Sequence, residues 1–241
     1  MIITIDGPAG SGKSTVAARL AKKLSVAYLD TGAMYRAITW AALKKEISLD
    51  NTSALNKLAN NCRIEFQWAN NSPNTAEIPT KPSQEILEME HQRIWLNGNE
   101  ITLDIRSTEV SENTHKIAQN PHVRETLVRQ QREIAKQSGN LVTEGRDQGT
   151  VAFPKADYKF YLDASCQIRA KRRWLQLKEK NTTQTYEKIL EDIIRRDHRD
   201  STRKTAPLAM PHDAIRIDST NISVDQVVET LYRHIKREQR H

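Results

Sequence analysis

A glycine-rich segment near the start of the chain has the residue types and spacing of a phosphate-binding loop. Residues 7–14 read G-P-A-G-S-G-K-S and follow an apolar run at residues 1–5. The glycines allow successive backbone N–H groups to face one anion, and the N-terminus of a following helix adds positive potential. In such loops the lysine, here Lys13, reaches the β- and γ-phosphates, and the next hydroxyl, Ser14, binds Mg²⁺. The predicted ATP-binding residues are Gly7, Pro8, Ala9, Gly10, Ser11, Gly12, Lys13, Ser14 and Thr15.

A threonine and an arginine follow the second apolar run of the chain, residues 26–29. In α/β proteins, ligands bind in the crevice at the carboxyl ends of the strands. Thr31 and Arg36 are therefore expected to project into such a crevice from a strand end and the helix that follows it.

A second polar cluster, Glu144, Arg146 and Asp147, follows the apolar run at residues 141–143. This cluster is expected at the same edge of the sheet as the first. Carboxylate oxygens suit Mg²⁺, so Glu144 is a candidate to hold a magnesium-bound water. Asp6 is the alternative candidate.

Arginine is concentrated late in the chain, where Arg196, Arg199 and Arg203 recur at helical spacing. Asp197 and Asp200 are interleaved with them, which is unfavourable for a nucleic-acid surface because each carboxylate repels phosphate. A compact anion pocket tolerates these acids, and arginine can bind phosphate oxygens at two points. A solvated charged helix with internal ion pairs is the alternative interpretation.

The composition suggests a protein with a small anionic partner. The 241 residues carry a formal net charge of +7, but aromatic residues make up only 5% and do not cluster with the arginines, which argues against nucleic-acid binding. Two distant cysteines, Cys62 and Cys166, indicate neither a disulfide framework nor a zinc site. With no membrane-spanning apolar run and no secretory leader, we expect a cytoplasmic protein without a membrane partner.

Short apolar runs separated by helical patterns predict an α/β fold: a five-stranded parallel sheet flanked by helices, as in P-loop NTPases. Local signals predict helices over residues 33–43 and 121–135, and a capping box of Ser223 and Gln226 predicts the start of the last helix. The predicted strands are residues 2–5, 26–29, 141–143, 158–162 and 214–217.

Between these strands the periodicity changes to that of an antiparallel sheet. Residues 63–68 alternate in polarity, and residues 93–103 contain Asn97-Gly98, a strong signal for a hairpin turn. The connection at residues 69–92 is polar and contains prolines, so we expect it to be exposed and mobile.

The sequence therefore divides into a core with one insertion. Residues 1–60 and 106–241 are assigned to the P-loop core, and residues 61–105 to a small inserted β subdomain. Within the core, the arginine-rich segment at about 166–205 is expected to form a lid that closes over phosphates and excludes water.

The motifs of this chain resemble those of the bacterial cytidylate kinases, members of the nucleoside monophosphate kinase family. The similarity spans nearly the whole chain. It is carried by Ile5-Asp6-Gly7-Pro8 through Thr15, Asp30-Thr31-Gly32-Ala33-Met34-Tyr35-Arg36, Ile105-Arg106-Ser107 with Glu109-Val110, Pro121 with Val123-Arg124, Gly145-Arg146-Asp147 with Gly149-Thr150-Val151, Arg196-Asp197 through Asp200, Arg203 and Ala206-Pro207-Leu208.

The resemblance implies transfer of the γ-phosphoryl group of ATP to CMP or dCMP, with Mg²⁺ as cofactor. We expect the enzyme to be a monomer that binds neither nucleic acid nor membrane. It also implies that the inserted subdomain binds the acceptor. The implied catalytic residues are Lys13, Arg146, Arg196 and Arg203. The implied substrate-binding residues are Thr31 and Arg36 for the acceptor, Arg124 and Asp147 for the cytosine region, Arg146 for the acceptor phosphate, Arg196 and Asp200 for the sugar, and Arg203 for the transferring phosphates.

This chemistry requires no general base. The acceptor is a phosphate monoester whose second pKa is about 6, so its attacking oxygen is already anionic at neutral pH. Catalysis then consists of positioning two anions that repel each other and neutralising their charge.

The chain departs from the family pattern in three places. The connection at residues 69–92 is longer than usual, and Thr31 replaces a frequent serine but keeps its hydroxyl. His115 replaces a serine near the base, where an imidazole either hydrogen-bonds to the base or faces solvent.

Asp147 is the residue expected to select cytosine, because its carboxylate can accept a hydrogen bond from an amino group that uracil lacks. The alternative is that Asp147 only pairs with Arg146 or caps the next helix. Two alternative functions exist for the whole chain: a P-loop kinase with another small acceptor such as UMP, and a nucleic-acid-binding protein or NTPase switch.

Overall fold

The structure, a computed structural model, describes residues 1–67, 92–179 and 183–238. Its strands are β1 (Ile2–Asp6), β2 (Ala27–Asp30), β3 (Ile64–Gln67), β4 (Arg93–Leu96), β5 (Asn99–Glu100), β6 (Leu141–Gly145), β7 (Tyr158–Asp163) and β8 (Ile215–Asp218). Its helices are α1 (Lys13–Leu24), α2 (Thr31–Lys44), α3 (Thr52–Asn60), α4 (Thr108–Gln119), α5 (Pro121–Ser138), α6 (Cys166–Lys178), α7 (Tyr186–Thr202) and α8 (Val224–Glu238). A 3₁₀ turn covers Asp104–Arg106 and a π-helical turn covers Gln148–Ala152.

The main sheet confirms the predicted α/β fold class. It has five parallel strands in the order β2-β6-β1-β7-β8, and each predicted strand agrees with the observed one to within two residues at either end. Strand β1 lies in the centre of the sheet, and its Ile3 and Ile5 are fully buried. A strand covered on both faces is expected to be mostly apolar, and β1 is apolar apart from Thr4 and Asp6.

The chain forms two compact units, which we call unit 1 (residues 1–26 and 142–241) and unit 2 (residues 27–141). In unit 1, β1 pairs with β7, and α1 packs on α8. In unit 2, α2 packs on α4, α3 packs on α5, and strands β3, β4 and β5 form a separate antiparallel sheet. None of the helices in the described ranges is long and apolar enough to cross a membrane.

The hairpin turn predicted at Asn97-Gly98 is confirmed, because both residues have positive φ angles, 50° and 81°, as a type I′ turn requires. The second strand of the hairpin is shorter than predicted and ends at Glu100. Beyond it, the hydroxyl of Thr102 accepts a hydrogen bond from the backbone N–H of Ile94 at 2.9 Å, in place of a backbone carbonyl. The chain can therefore leave the sheet early.

The predicted mobile connection at residues 69–92 lies outside the described residues, apart from its last residue.

Two helix starts follow the local signals in the sequence. The capping box of α8 is confirmed: Gln226 Oε1 accepts from Ser223 N at 2.8 Å, and Ser223 Oγ accepts from Gln226 N at 3.2 Å. Helix α2 begins two residues earlier than predicted because the Asp30 carboxylate accepts from Ala33 N at 2.9 Å and caps it.

Candidate active site

The glycines of the phosphate-binding loop are required by its backbone. Gly7, Gly10 and Gly12 have φ angles of 149°, 75° and 94°, which residues with a side chain rarely adopt. A Cβ atom at Gly7 would also lie 2.1 Å from the carbonyl oxygen of Leu162 in β7. The loop therefore passes closely over the end of β7 before α1 begins at Lys13.

Lys13 is buried, and its side chain turns back onto the loop. Its Nζ donates to the carbonyl oxygen of Pro8 at 2.6 Å. Burial lowers the pKa of Lys13 from 10.5 to about 7, with Arg146 and Arg196 acting in the same direction and Glu144 opposing them. The site therefore holds a concentration of positive charge, which a phosphate would relieve.

The hydroxyl of Ser14 lies beside one of the two candidate carboxylates. Ser14 Oγ donates to Glu144 Oε1 at 2.8 Å. The other candidate, Asp6, instead accepts from two backbone N–H groups, Gln148 at 2.9 Å and Gly149 at 2.7 Å. A hydroxyl and a carboxylate are the hard oxygen donors that Mg²⁺ prefers, so Ser14 and Glu144 fit the ion better than Asp6 does.

Asp6 is a buried carboxylate that binds the backbone after Asp147. Burial raises its pKa to about 6, although the N–H groups of Gly149 and Gln148 oppose the shift. These N–H groups belong to the first two residues of the π-helical turn, which directly follows Asp147. Asp6 therefore holds the backbone next to Asp147 in place. The sequence feature that could have indicated this structural function is an acidic residue at the end of an apolar strand.

Arg146 pairs with a residue of the arginine-rich helix α7. Its Nε lies 2.9 Å from Asp200 Oδ2, and both side chains are largely buried. Burial alone would raise the pKa of Asp200, but Arg146 and Arg196 outweigh it and hold the pKa below its ordinary value. Arg146 is thus held in a fixed orientation by α7.

Asp147 faces Arg203. Its Oδ1 lies 3.7 Å from Arg203 Nη2, and both side chains are buried. Within the described part of the chain, Asp147 makes no side-chain capping hydrogen bond to the turn that follows it, which was one of its alternative functions. The ion pair leaves the carboxylate oriented by a guanidinium group.

One detail of the predicted arginine helix is wrong. The sequence places Arg203 on the same helix as Arg196 and Arg199, but α7 ends at Thr202, and Arg203 has φ −62° and ψ 142°. The helix ends because the chain folds back, with the N–H of Leu208 donating to the Asp200 carbonyl at 2.8 Å. Arg203 is therefore carried by a turn.

In unit 2, Thr31 is the buried first residue of α2, and Arg36 lies one turn further along. Arg36 Nη2 lies 2.8 Å from Asp30 Oδ2. Burial would raise the pKa of Asp30, but Arg36 outweighs it and lowers the pKa below the ordinary value. Among the described residues, the buried Nε of Arg36 has no hydrogen-bond partner.

A second arginine, Arg106, interacts electrostatically with Arg36 and was not among the predicted site residues. Arg106 Nε donates to the Thr102 carbonyl at 3.1 Å, and burial, then the charge of Arg36, lowers the pKa of Arg106. The signal was present, since Arg106 belongs to a family motif, but no function was attached to it.

Arg124 and His115 lie on neighbouring helices of unit 2. Arg124 is buried, donates to the Ala118 carbonyl at 3.1 Å and stacks over the Tyr35 ring at 5.3 Å. His115 Nδ1 lies 2.7 Å from the Glu112 carbonyl oxygen. Since that oxygen can only accept, Nδ1 carries the hydrogen, and in the neutral ring Nε2 is an acceptor.

The sequence of this chain is similar to known proteins over nearly its whole length. A sequence model of the cytidylate kinase family matches residues 3–237. The cytidylate kinase of Caldanaerobacter subterraneus subsp. tengcongensis is 42% identical over 235 residues, which cover 98% of this chain and 94% of the relative. The cytidylate kinases of Ligilactobacillus salivarius and Pseudomonas syringae pv. tomato are 40% and 42% identical, each covering 97% of this chain and 96% and 94% of the relatives. This chain therefore belongs to the cytidylate kinase family.

Proposed function

We propose that this protein transfers the γ-phosphoryl group of ATP to CMP or dCMP and releases ADP with CDP or dCDP. It acts as a monomer in the cytoplasm and requires neither nucleic acid nor membrane. The observation that carries the proposal is the arrangement of unit 1. Lys13 and the Ser14–Glu144 pair lie at one end of the loop. Arg146, directly after β6, and Arg196, on α7, interact electrostatically with Lys13, and Asp200 pairs with Arg146.

The donor site is the loop from Gly7 to Thr15. Its backbone N–H groups and the N-terminus of α1 bind the phosphates of ATP, and Lys13 binds the β- and γ-phosphate oxygens. The depressed pKa of Lys13 supports this function, because burial, and after it the charges of Arg146 and Arg196, disfavour the protonated amine until an anion binds beside it.

Ser14 would hold Mg²⁺ directly, and Glu144 would hold it through a water. When bound, the ion neutralises charge on the β- and γ-phosphate oxygens. The hydrogen bond between the two side chains supports this assignment, since it places a hydroxyl and a carboxylate at one point beside the loop.

Residues of unit 2 contribute to binding of the acceptor. In unit 2, Thr31 and Arg36 hold the acceptor, and Arg124 contacts the cytosine region. The buried Nε of Arg36, without a hydrogen-bond partner among the described residues, supports its function as an anion ligand. The β subdomain at residues 61–105 contributes to this acceptor region.

In unit 1, Asp147 accepts a hydrogen bond from the cytosine amino group. Arg146 binds the acceptor phosphate, Arg196 and Asp200 lie near the sugar, and Arg203 faces the transferring phosphates. The pairing of Asp200 with Arg146 supports a common function, because the sugar and phosphate ligands are then held in one network.

The reaction is an in-line displacement on the γ-phosphorus. The attacking oxygen of the acceptor is anionic at neutral pH, so no side chain has to remove a proton. Lys13, Arg146, Arg196 and Arg203 offset the repulsion between the two anions and stabilise charge in the transition state. Each such group is expected to contribute about 10²-fold or more to the rate.

Helices α6 and α7, at about residues 166–205, act as a lid that excludes water from this reaction. They share an apolar contact of Ala170, Ile189 and Ile193, so they can move as one piece. We expect trypsin to cleave this segment more slowly when a bisubstrate analogue is bound, because closure covers its arginines. Equal cleavage with and without the analogue would contradict the lid.

The activity is tested by an ADP-release assay in which the purified chain and MgATP receive CMP, dCMP, UMP, AMP or GMP in turn. We expect CMP and dCMP to be the best acceptors. In Asp147→Asn, the ratio of kcat/KM for CMP to that for UMP should fall about 10-fold or more, because an amide can also donate to uracil. Equal use of UMP by the unmodified chain would favour a broader pyrimidine kinase, and an unchanged ratio in the variant would remove Asp147 from base selection.

A further inference from the structure

Arg169 is a buried arginine to which the reaction described above gives no function. Its side chain is 3% exposed, yet it lies near the start of a helix whose other arginines are on the surface or half-buried. The cost of burying this guanidinium group is reduced because each of its three nitrogens has a partner. Nε donates to the Ala164 carbonyl at 2.8 Å, Nη1 donates to the Ala9 carbonyl at 2.9 Å, and Nη2 lies 3.0 Å from Cys166 Sγ and 2.6 Å from Asp197 Oδ2.

The contact with Ala9 places Arg169 against the phosphate-binding loop. A Cβ atom at Gly10 would lie 3.3 Å from Arg169 Cβ, so the side chain also packs closely on the loop. A neighbouring arginine, Arg172, also reaches the loop indirectly. It donates to Ser219 Oγ, which lies 3.2 Å from the Ser11 carbonyl oxygen and 3.0 Å from that of Asp163. The side of the loop that faces α6 is thus held through its carbonyl oxygens.

The contact with Asp197 places the same guanidinium group against helix α7. Asp197 directly follows Arg196 and precedes by three residues Asp200, which orients Arg146. Asp197 pairs with Arg169 through its oxygen Oδ2. Its other oxygen, Oδ1, is buried and has no hydrogen-bond partner in the described part of the chain. A planar fork can bind a carbonyl and a carboxylate at once, whereas a lysine binds as a single point charge.

We infer that Arg169 and Asp197 are positioning residues that couple the phosphate-binding loop to helix α7. The inference rests on the proposed kinase function. ATP bound in the loop fixes the Ala9 carbonyl, and through the ion pair it fixes the helix that carries Arg196 and Asp200 toward the acceptor. By linkage, ATP raises the affinity for CMP and CMP raises the affinity for ATP by the same factor.

The test measures CMP binding by calorimetry with and without a non-hydrolysable ATP analogue and Mg²⁺. The unmodified chain should bind CMP at least about 5-fold more tightly when the analogue is present. Asp197→Asn keeps the size of the side chain but removes its charge, and Arg169→Lys keeps the charge but removes the fork. In both variants we expect the ratio of CMP affinities with and without the analogue to fall to about 1. We also expect kcat to fall by a larger factor than the KM for ATP rises, because the loop and its lysine remain.

Asp192→Asn is the matched control. Asp192 lies on the same helix and pairs with Arg195 and Lys188. Its two partners are exposed and Asp192 itself is only half-buried, so the change should leave the ratio and kcat unchanged. Circular dichroism and thermal unfolding check that each variant folds. If Arg169→Lys does not fold, Asp197→Asn decides the question.

The double variant, Arg169→Lys with Asp197→Asn, should bind and react no worse than the weaker single variant, because both changes break one link. Independent, multiplicative losses would overturn the inference. It is also overturned if the unmodified chain phosphorylates CMP but shows no coupling, or if Asp197→Asn keeps the full ratio. A chain that neither binds nor phosphorylates CMP would instead overturn the proposed function.

Discussion

Lys13 is a buried cation placed among other cations. Arg146 and Arg196 act with burial to lower its pKa to about 7, and only nearby carboxylates such as Glu144 oppose them. In water such charges would be screened, but in a buried site they are not. In the protein without nucleotide, the positive charge on Lys13 is therefore unfavourable. A bound polyphosphate compensates it with negative charge.

This arrangement makes ATP binding dependent on pH. Near pH 8, above the pKa of about 7, Lys13 is mostly neutral in the free protein. A bound phosphate favours the charged form and raises the pKa, so binding should take up protons at pH 8 and few at pH 6, where Lys13 is already charged. Calorimetry of MgATP-analogue binding in buffers of different ionisation enthalpy measures the uptake directly.

Lys13→Met is the control for that measurement. The variant should bind the analogue more weakly and take up fewer protons at pH 8. If the variant and the unmodified chain take up the same number of protons, another group is responsible, and the account of Lys13 fails.

Some of the helices and strands that carry these residues could be predicted from local sequence signals, and others could not. The five strands of the main sheet and the Ser223–Gln226 capping box could be predicted because their signals are local: apolar runs in the first case and a three-residue spacing in the second. The early end of β5 and the end of α7 before Arg203 could not, because each depends on a contact that forms only after the chain folds back.

The candidate site divides in the same way. The loop around Lys13 and the clusters at Thr31 and Glu144 could be found from their order along the sequence. The hydrogen bonds of Asp6 to residues more than 140 positions away, and those of Arg169 to Ala9, depend on tertiary packing. The sequence shows that such a residue is charged, but it does not show which residue forms its hydrogen bonds.

Two glycines of the loop between β1 and α1 should differ in their tolerance of alanine. Gly7→Ala brings a Cβ atom within 2.1 Å of the Leu162 carbonyl, whereas a Cβ atom at Gly12 meets nothing within 4 Å among the described residues. Gly12→Ala should therefore lower the free energy of unfolding by only about 1–2 kcal/mol, the cost of its positive φ. Gly7→Ala should cost more than about 3 kcal/mol, because the strand end must also shift.

Urea unfolding followed by circular dichroism measures both values. Equal losses in the two variants would show that backbone conformation alone, and not the packing of the loop on β7, determines which glycines the loop needs.

The whole molecule carries a formal net charge of +7, but several of its arginines are already paired with carboxylates. Arg146 pairs with Asp200, Arg169 with Asp197, and Arg203 with Asp147. These pairs hold the guanidinium groups in fixed directions and limit their mutual repulsion while the site is empty. Their function is thus orientation as much as charge, which a net charge alone does not show.

The central claim is that two anions are held so that one passes its terminal phosphoryl group directly to the other. The most direct test is a single turnover of the purified chain with Mg²⁺, CMP and ATP labelled with ³²P at the γ-position. We expect the label to appear in the β-phosphate of CDP, with none on the protein and little as inorganic phosphate. Label that remains on the protein, or that appears only as inorganic phosphate, would contradict the account.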